Sequence, residues 1–419
     1  MDILKERIFQ HIDAHKEEVV TLLQDMVRFD SVYLKEEEIQ RYLADFFAAQ
    51  GWEIDLWNPD IEEVSKHPSY SGYRENFDTS PVLVSTIKGT GGGRSLIVNG
   101  HIDVVPEGIG WSYEPYGAVI DDGKIIGRGA NDMKGGLAGA IMALKFLSEL
   151  GIKLKGDIMI ETVVDEEIGS AGSIAAAMRG YKADAAIVPE PSKYGIVPAC
   201  AGSTFFRISV PGKTAHGSVH YLGVNAIKKA HYLMDKLDEL EQVRLKEFDH
   251  ELFRIYPIQF PIAVGKFNSG SWASMSPNLA VMEGRYGVAP QETMEEAKEY
   301  FEKFLNAAFD EDEWLKENRP TIEWLEFWES GMAPTDHEIV QTIAKTFEEL
   351  EGKAPVIKGY SAPTDQAILD RYADTPSIVY GPGNDSLHKA DEYVEIEDIV
   401  KYVKHMASII MDWCGVEME

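Results

Sequence analysis

The feature that most constrains this chain is a recurrent one: short apolar runs that stop abruptly on an acid or a histidine. Leu96, Ile97 and Val98 read as a buried strand that stops at Asn99-Gly100, and His101 and Asp103 follow. Asp157 to Val164 runs straight into Asp165-Glu166-Glu167, and Ala185 to Val188 ends at Pro189-Glu190. Ile125 and Ile126 lead into Gly127, and Asp132 stands where a helix over 133–150 begins. Apolar runs alternating with helical patterns predict an α/β fold. Such sheets place ligands outside the carboxyl ends of their strands. A single acid there is usually a helix N-cap or a solvated loop, because helix N-termini favour negative charge. Three, with a histidine beside them, make a site.

The remaining elements follow from periodicity. Residues 1–28 carry Ile, Leu and Val at helical spacing, and a second helix covers 36–50. A strand over 52–57 precedes a polar stretch, 58–80, that reads as a surface loop. The strands 81–87 and 95–98 are joined by KGTGGGR, which reads as a hairpin turn. It is no phosphate loop, because neither Lys-Ser/Thr nor a helix follows. Gly135-Gly136 in the first turn of the next helix allow a close backbone approach. From Ala199 the pattern changes: strand GSTFFRISVPG, helix 223–242, strands 261–268 and 279–286, helix 291–309, strand 320–328. This β-α-β-β-α-β order matches a ferredoxin-like split unit. A helix at 336–350, strands near 354–358 and 376–380, and a helix over 395–413 complete the chain. A length of 419 residues exceeds one ordinary core. The expected division is a first domain over 1–198 and 330–419, interrupted by a second over 199–329.

A formal charge of −30 argues against nucleic acid or an anionic membrane as partner, since both need basic patches. Cys200 and Cys414 make no disulfide framework, and no apolar run reaches the ~18 residues of a membrane span. No signal-like run follows Met1, so the expected location is the cytoplasm. Imidazole and carboxylate together suit zinc, and in His-x-Asp the acid can hold the far N–H of a ligating ring.

Taken together, NGHIDVVPEG, GRGANDMKGG, VVDEEIGS, VPEPS, GKTAHGS and GPGNDSLHKADE resemble the two-zinc aminoacylase/carboxypeptidase family. That family includes acetylornithine deacetylase, succinyl-diaminopimelate desuccinylase, aminoacylase and carboxypeptidase G. The motifs keep the family's order from residue 95 to about 395. The resemblance implies a zinc-exopeptidase-like catalytic domain with an inserted ferredoxin-like α+β lid and dimerisation domain, in a homodimer. It implies two divalent ions per subunit, zinc first, although cobalt or manganese would fit the same ligands. His101 and Glu190 would hold one ion, Glu167 and His388 the other, with Asp132 between them. Asp103 would orient His101, and Glu166 would act as general base on a water shared by the two ions. His216 would donate to the oxyanion of the tetrahedral intermediate, and Arg285 would hold a substrate carboxylate. Asp365 takes a supporting role, and the GPG turn at 381–383 shapes a wall of the site. One departure stands out: where many deacetylases carry an asparagine three residues before a lid proline, WASMSPNLA has Ser274, whose hydroxyl reaches less far.

The reaction so implied is hydrolysis of an N-acyl amino acid of the acetylornithine or succinyl-diaminopimelate kind. A dipeptidase or carboxypeptidase with the same metals is the alternative. A non-catalytic binding relative would have lost a ligand or the base, and none is missing. A Rossmann oxidoreductase is excluded, because GRGANDMKGG lacks the required glycine spacing. His11, His15, His67, His231, His250, His337 and His405 sit in helices or loops without partner acids and read as structural, and Cys200 as buried; His220, four residues after His216, could substitute for it.

Overall fold

The computed structural model describes residues 2–71 and 74–417. Its first elements are α1 (Asp2–Ala14) and α2 (Lys16–Val27), where the sequence pattern suggested one helix. The break is at His15, whose backbone (φ −119°, ψ 23°) leaves the helical region. Then come α3 (Glu37–Ala49), β1 (Glu53–Trp57), the single turn α4 (Ile61–Val64), β2 (Val82–Ile87) and β3 (Leu96–His101). The chain continues through β4 (Val119–Asp121), β5 (Lys124–Ile126), α5 (Lys134–Glu149), β6 (Ile158–Val163), α6 (Ala171–Arg179), β7 (Ala185–Val188) and β8 (Ile196–Cys200). A second compact unit spans Ala199–Gly331 with Gly359–Pro363, and the rest of the chain forms the first. The second unit holds β9 (Gly202–Pro211), α7 (Ala226–Glu247), β10 (Ile262–Ser269), β11 (Leu279–Val288), α8 (Met294–Glu311), α9 (Glu313–Glu317) and β12 (Thr321–Trp328). The return brings β13 (Gly331–Met332), α10 (Glu338–Glu351), β14 (Ile357–Tyr360), α11 (Gln366–Tyr372), β15 (Ser377–Val379), β16 (Tyr393–Glu395) and α12 (Ile396–Cys414).

In the first unit the main sheet runs β1-β2-β6-β3-β7-β15-β8-β13, with β14 also on β8. β3 lies between β6 and β7, parallel to both, and every residue of it is buried. That is why Leu96, Ile97 and Val98 are apolar in succession rather than in alternation. The expected hairpin between β2 and β3 is not formed, because β6 inserts between them, antiparallel to β2. KGTGGGR instead crosses the start of β6: Thr90 and Gly91 donate to the carbonyls of Leu154 and Lys155. A Cβ on Gly89 would lie 2.4 Å from the Lys155 carbonyl oxygen, so the glycine permits a crossing rather than a tight turn.

α5 is buried along nearly its whole length and packs against α12, α2 and β3. The Gly136 prediction holds in detail: a Cβ there would come within 2.0 Å of the carbonyl oxygen of Pro189, the residue before Glu190. A separate three-stranded sheet, β16-β5-β4, carries the loop that leads to Asp132. Asp132 therefore follows a strand of this small sheet and not one of the main sheet. The stretch 58–80 is less exposed than its polarity suggested, for Ser69, Arg74, Phe77 and Ser80 are buried.

The second unit has the antiparallel order β10-β11-β9-β12 expected of a ferredoxin-like unit. Phe206, Ile208, Met282 and Tyr286 join Leu233 and Leu237 of α7 and Phe301 and Leu305 of α8 in its core. Alternation sends Phe205, Arg207, Glu283 and Arg285 to the other face. There they help to line a cavity of about 630 Å³. No helix among the described residues is long and apolar enough to cross a membrane.

Candidate metal centre

The site begins where β3 ends. The His101 ring is wholly buried, and its Nδ1 lies 2.9 Å from the main-chain carbonyl oxygen of Asp103, which can only accept. The ring proton of the neutral imidazole therefore sits on Nδ1, and Nε2 is the ligand face. The expected hold by the Asp103 carboxylate is corrected here: that group is 3.7 Å from Nδ1. It accepts instead from the backbone N–H groups of Glu166 (3.4 Å) and Glu167 (3.2 Å). Asp103 thus orients His101 through its peptide and fixes the 166–168 turn through its side chain.

His101 Nε2 is 3.4 Å from Asp132 Oδ1 and 3.5 Å from Glu190 Oε1. The other Asp132 oxygen is 3.3 Å from His388 Nε2, which is 3.0 Å from Glu167 Oε1. One carboxylate therefore faces two imidazoles, each with its own glutamate. His388 reaches this point from a backbone at φ 58°, and its side chain is half exposed, so that side of the centre is open. Ligand atoms of His101, Glu166 and Glu190 lie within 4.8 Å of one another, as do those of His101, Asp132 and Glu167. The two acids of Glu166-Glu167 divide between these groups because the turn sends consecutive side chains different ways.

So many buried acids with two imidazoles create a strong demand for cations. Burial pushes the carboxyls of Glu166 and Glu190 well above the usual range, and the Asp132 charge adds to the effect at Glu190. Burial opposes ionisation of Asp132 too, but the imidazoles on either side prevail and hold it well below the ordinary value. Asp132 and Glu167 draw His388 up to about 10. His101 Nε2 is buried and completes no hydrogen bond among the described residues. An orphaned ligand nitrogen amid carboxylates fits divalent cations of the zinc class.

Peptidase family M20/M25/M40 matches this chain over residues 97–412. The chain belongs to that family. Its members are hydrolases of amide bonds, and this one is a metallohydrolase of the same class. It is 29% identical to N-formyl-4-amino-5-aminomethyl-2-methylpyrimidine deformylase of Bacillus subtilis (strain 168), over 97% of each chain. It is 25% identical to a probable succinyl-diaminopimelate desuccinylase of Staphylococcus epidermidis, over 93% of this chain and 96% of that one. The crystal structure of a tripeptidase from Staphylococcus aureus shares the fold with a TM-score of 0.74 at 21% identity, over 96% of this chain and 99% of that one.

In this family member three more of the expected site residues, His216, Ser274 and Arg285, lie in the second unit. His216 caps the short turn Gly217–Leu222, accepting from the Ser218 N–H. Gly217 donates to the Ser274 carbonyl at 2.8 Å, and His216 pairs with Met275, so His216 and Ser274 share one exposed tip. Arg285 projects from β11 and donates to the Ser361 carbonyl, at 3.3 Å. Among the described residues no acid pairs with it, and burial lowers its affinity for the proton.

The sequence reading missed Arg74. Its buried guanidinium makes a two-armed pair with Asp165 and a 2.8 Å bond to Glu36, with the Tyr33 and Phe77 rings nearby. Asp165 has φ 70° and opens the turn that presents Glu166 and Glu167. Lys134 was also missed: fully buried, it donates to the carbonyls of Met26, in the last turn of α2, and Phe29, just beyond it. Two of the histidines read as structural do meet acids, His11 with Glu149 and His405 with Glu351.

Proposed function

We propose that this chain is a two-metal amidohydrolase that removes the acyl group from a small N-acyl amino acid, with zinc as its metal. The observation that carries the reading is the division of the centre about Asp132, with His101 and Glu190 on one side and His388 and Glu167 on the other. Divalent ions bound there supply polarisation of the scissile carbonyl and acidification of water. Glu166 is the base. Its partly buried carboxyl takes a proton from the attacking water and returns it to the departing amine nitrogen. Asp103 holds both the His101 ring and the turn that presents this base.

His216 donates to the oxyanion, a role that typically contributes about 10²–10³ in rate. Arg285, a guanidinium that no acid pairs with among the described residues, takes the substrate carboxylate, and Ser274 supplies a shorter polar contact. The names of the deformylase and the desuccinylase both describe removal of an acyl group from an amine, which supports a deacylase over a peptidase. The acidic chain acts in the cytoplasm as a homodimer.

The test is metal content together with a substrate panel, after loading with zinc, cobalt or manganese. The panel holds N-acetylornithine, N-succinyl-diaminopimelate, N-acetylmethionine, an N-formylaminomethylpyrimidine and several dipeptides. Two ions per chain with turnover of an N-acyl amino acid is the expected result. Turnover of the formylpyrimidine alone would keep the chemistry and overturn the amino-acid specificity. Cleavage of dipeptides alone would make the chain a peptidase, and no bound metal would overturn the reading altogether. Light scattering after gel filtration checks the dimer.

A further inference from the structure

We propose that Glu392, together with Arg128, is a positioning residue for this centre: it clamps the main chain that carries Asp132 to the loop that carries His388. The proposal rests on the metal-centre reading above and adds two residues to it.

Glu392 immediately precedes β16, and the pairing of β16 with β5 brings its carbonyl onto the Gly127 N–H at 2.8 Å. The side chain is wholly buried. One oxygen, Oε1, accepts from the backbone N–H groups of Asn131 (3.0 Å) and Asp132 (3.1 Å). The other, Oε2, takes Arg128 Nη1 at 2.5 Å. Arg128, itself buried, also donates to the carbonyls of Lys389 (3.3 Å) and Glu107 (3.2 Å). Asn131 adds a reciprocal pair with Asn384, giving and receiving at 3.1 and 3.0 Å.

The clamp therefore joins three segments: the one after His101, the one bearing Asp132 and the one bearing His388. Two buried N–H groups need an acceptor in any case, and an ionised carboxylate is the strongest that a side chain can offer. An ordinary buried ion pair would have no reason to take the peptide of a ligand as its third partner. Because Asp132 must face two imidazoles at once, a small shift of its peptide would spoil both sides of the centre together. Groups that orient ligands in this way typically affect metal affinity by about 10–100-fold.

The test separates the acceptor from the charge. The double variant Arg128→Met/Glu392→Gln removes the buried charges but keeps an oxygen for the two N–H groups. The double variant Arg128→Met/Glu392→Leu removes the charges and the acceptor. Each is checked for folding by circular dichroism and thermal melting. Each is then titrated with Co²⁺, followed by visible absorption and by competition with a chelator.

The glutamine variant should bind two ions within about threefold of the parent, with the parent's cobalt spectrum. The leucine variant should bind at least one ion about 10–100-fold more weakly, with an altered spectrum. A folded leucine variant that matches the glutamine variant would overturn the clamp. Should the leucine variant not fold, Glu392→Asp decides: it keeps the charge but cannot span both partners, and parental cobalt affinity in it overturns the proposal. A parent that binds no cobalt removes the metal-centre reading and the clamp with it. A parent that binds two ions, with variants indistinguishable from it, removes the clamp alone.

Discussion

Replacing Glu161 by glutamine should make the chain more stable at pH 8 while leaving its stability near pH 4 almost unchanged relative to the parent. Glu161 lies on β6, opposite Asn99 of β3, and is completely buried. Oε2 receives the Asn99 amide at 2.9 Å, whereas Oε1 has no partner among the described residues. Burial, reinforced by the Asp365 charge and only partly offset by Asn99, lifts the carboxyl from 4.5 to about 7.

The sign follows from proton binding. Below pH 4.5 the folded and unfolded chains both hold the proton, and no stability is lost. Between pH 4.5 and 7 the folded chain keeps the proton that the unfolded chain releases, so stability falls as pH rises. Above pH 7 the loss is complete, at about 3 kcal/mol. An amide in place of the acid does not titrate and nearly matches the protonated carboxyl in shape, so the difference between the two chains across pH follows the carboxyl alone.

The assay is urea unfolding of parent and Glu161→Gln from pH 4 to pH 8, with a chelator present so that metal binding does not enter. The gap between the two curves should widen by about 3 kcal/mol, most steeply between pH 4.5 and 7. Parallel curves would show that Glu161 ionises in the folded chain as freely as in the unfolded one, and would refute the burial argument.

Glu166→Gln should retain two ions per chain by elemental analysis and lose about 10²–10⁴ in kcat; parental turnover would remove Glu166 as the base. His216→Ala should lower kcat by about 10²–10³ with metal content unchanged, and loss of metal would make His216 a ligand instead. Arg74→Met leaves Glu36 and Asp165 buried without their cation. It should lower unfolding stability by about 3–5 kcal/mol, and a loss under 1 kcal/mol would show that the two acids find other partners.

Much of the centre was legible because its residues stand at the ends of strands whose apolar runs are unmistakable. His101 ends β3, Glu166 and Glu167 come just after β6 and Glu190 just after β7, and the parallel pairing of these strands brings their carboxyl ends to one edge. The ferredoxin-like order of the second unit was legible for a similar reason, since alternation and helical period change cleanly from one element to the next. The β2–β3 connection was not. Strand propensity says which residues extend but not which strands become neighbours, and β6 arrives later in the chain to separate that pair. Arg74 was hidden in a polar stretch, where only the fold shows that its charge faces inward onto two acids.

The sequence by itself determined the kinds of group at this site and the elements that deliver them, because apolar periodicity and short motifs are local properties of the chain. Only the tertiary structure decided which groups meet. Asp132 and Glu392 are 260 residues apart, and Glu167 and His388 are 221 apart. Their approach depends on how β16 pairs with β5 and how the main sheet is ordered. The same packing gave the orienting task to the Asp103 carbonyl and freed its carboxylate to hold the turn, because the direction of a peptide is set by the chain's path after β3.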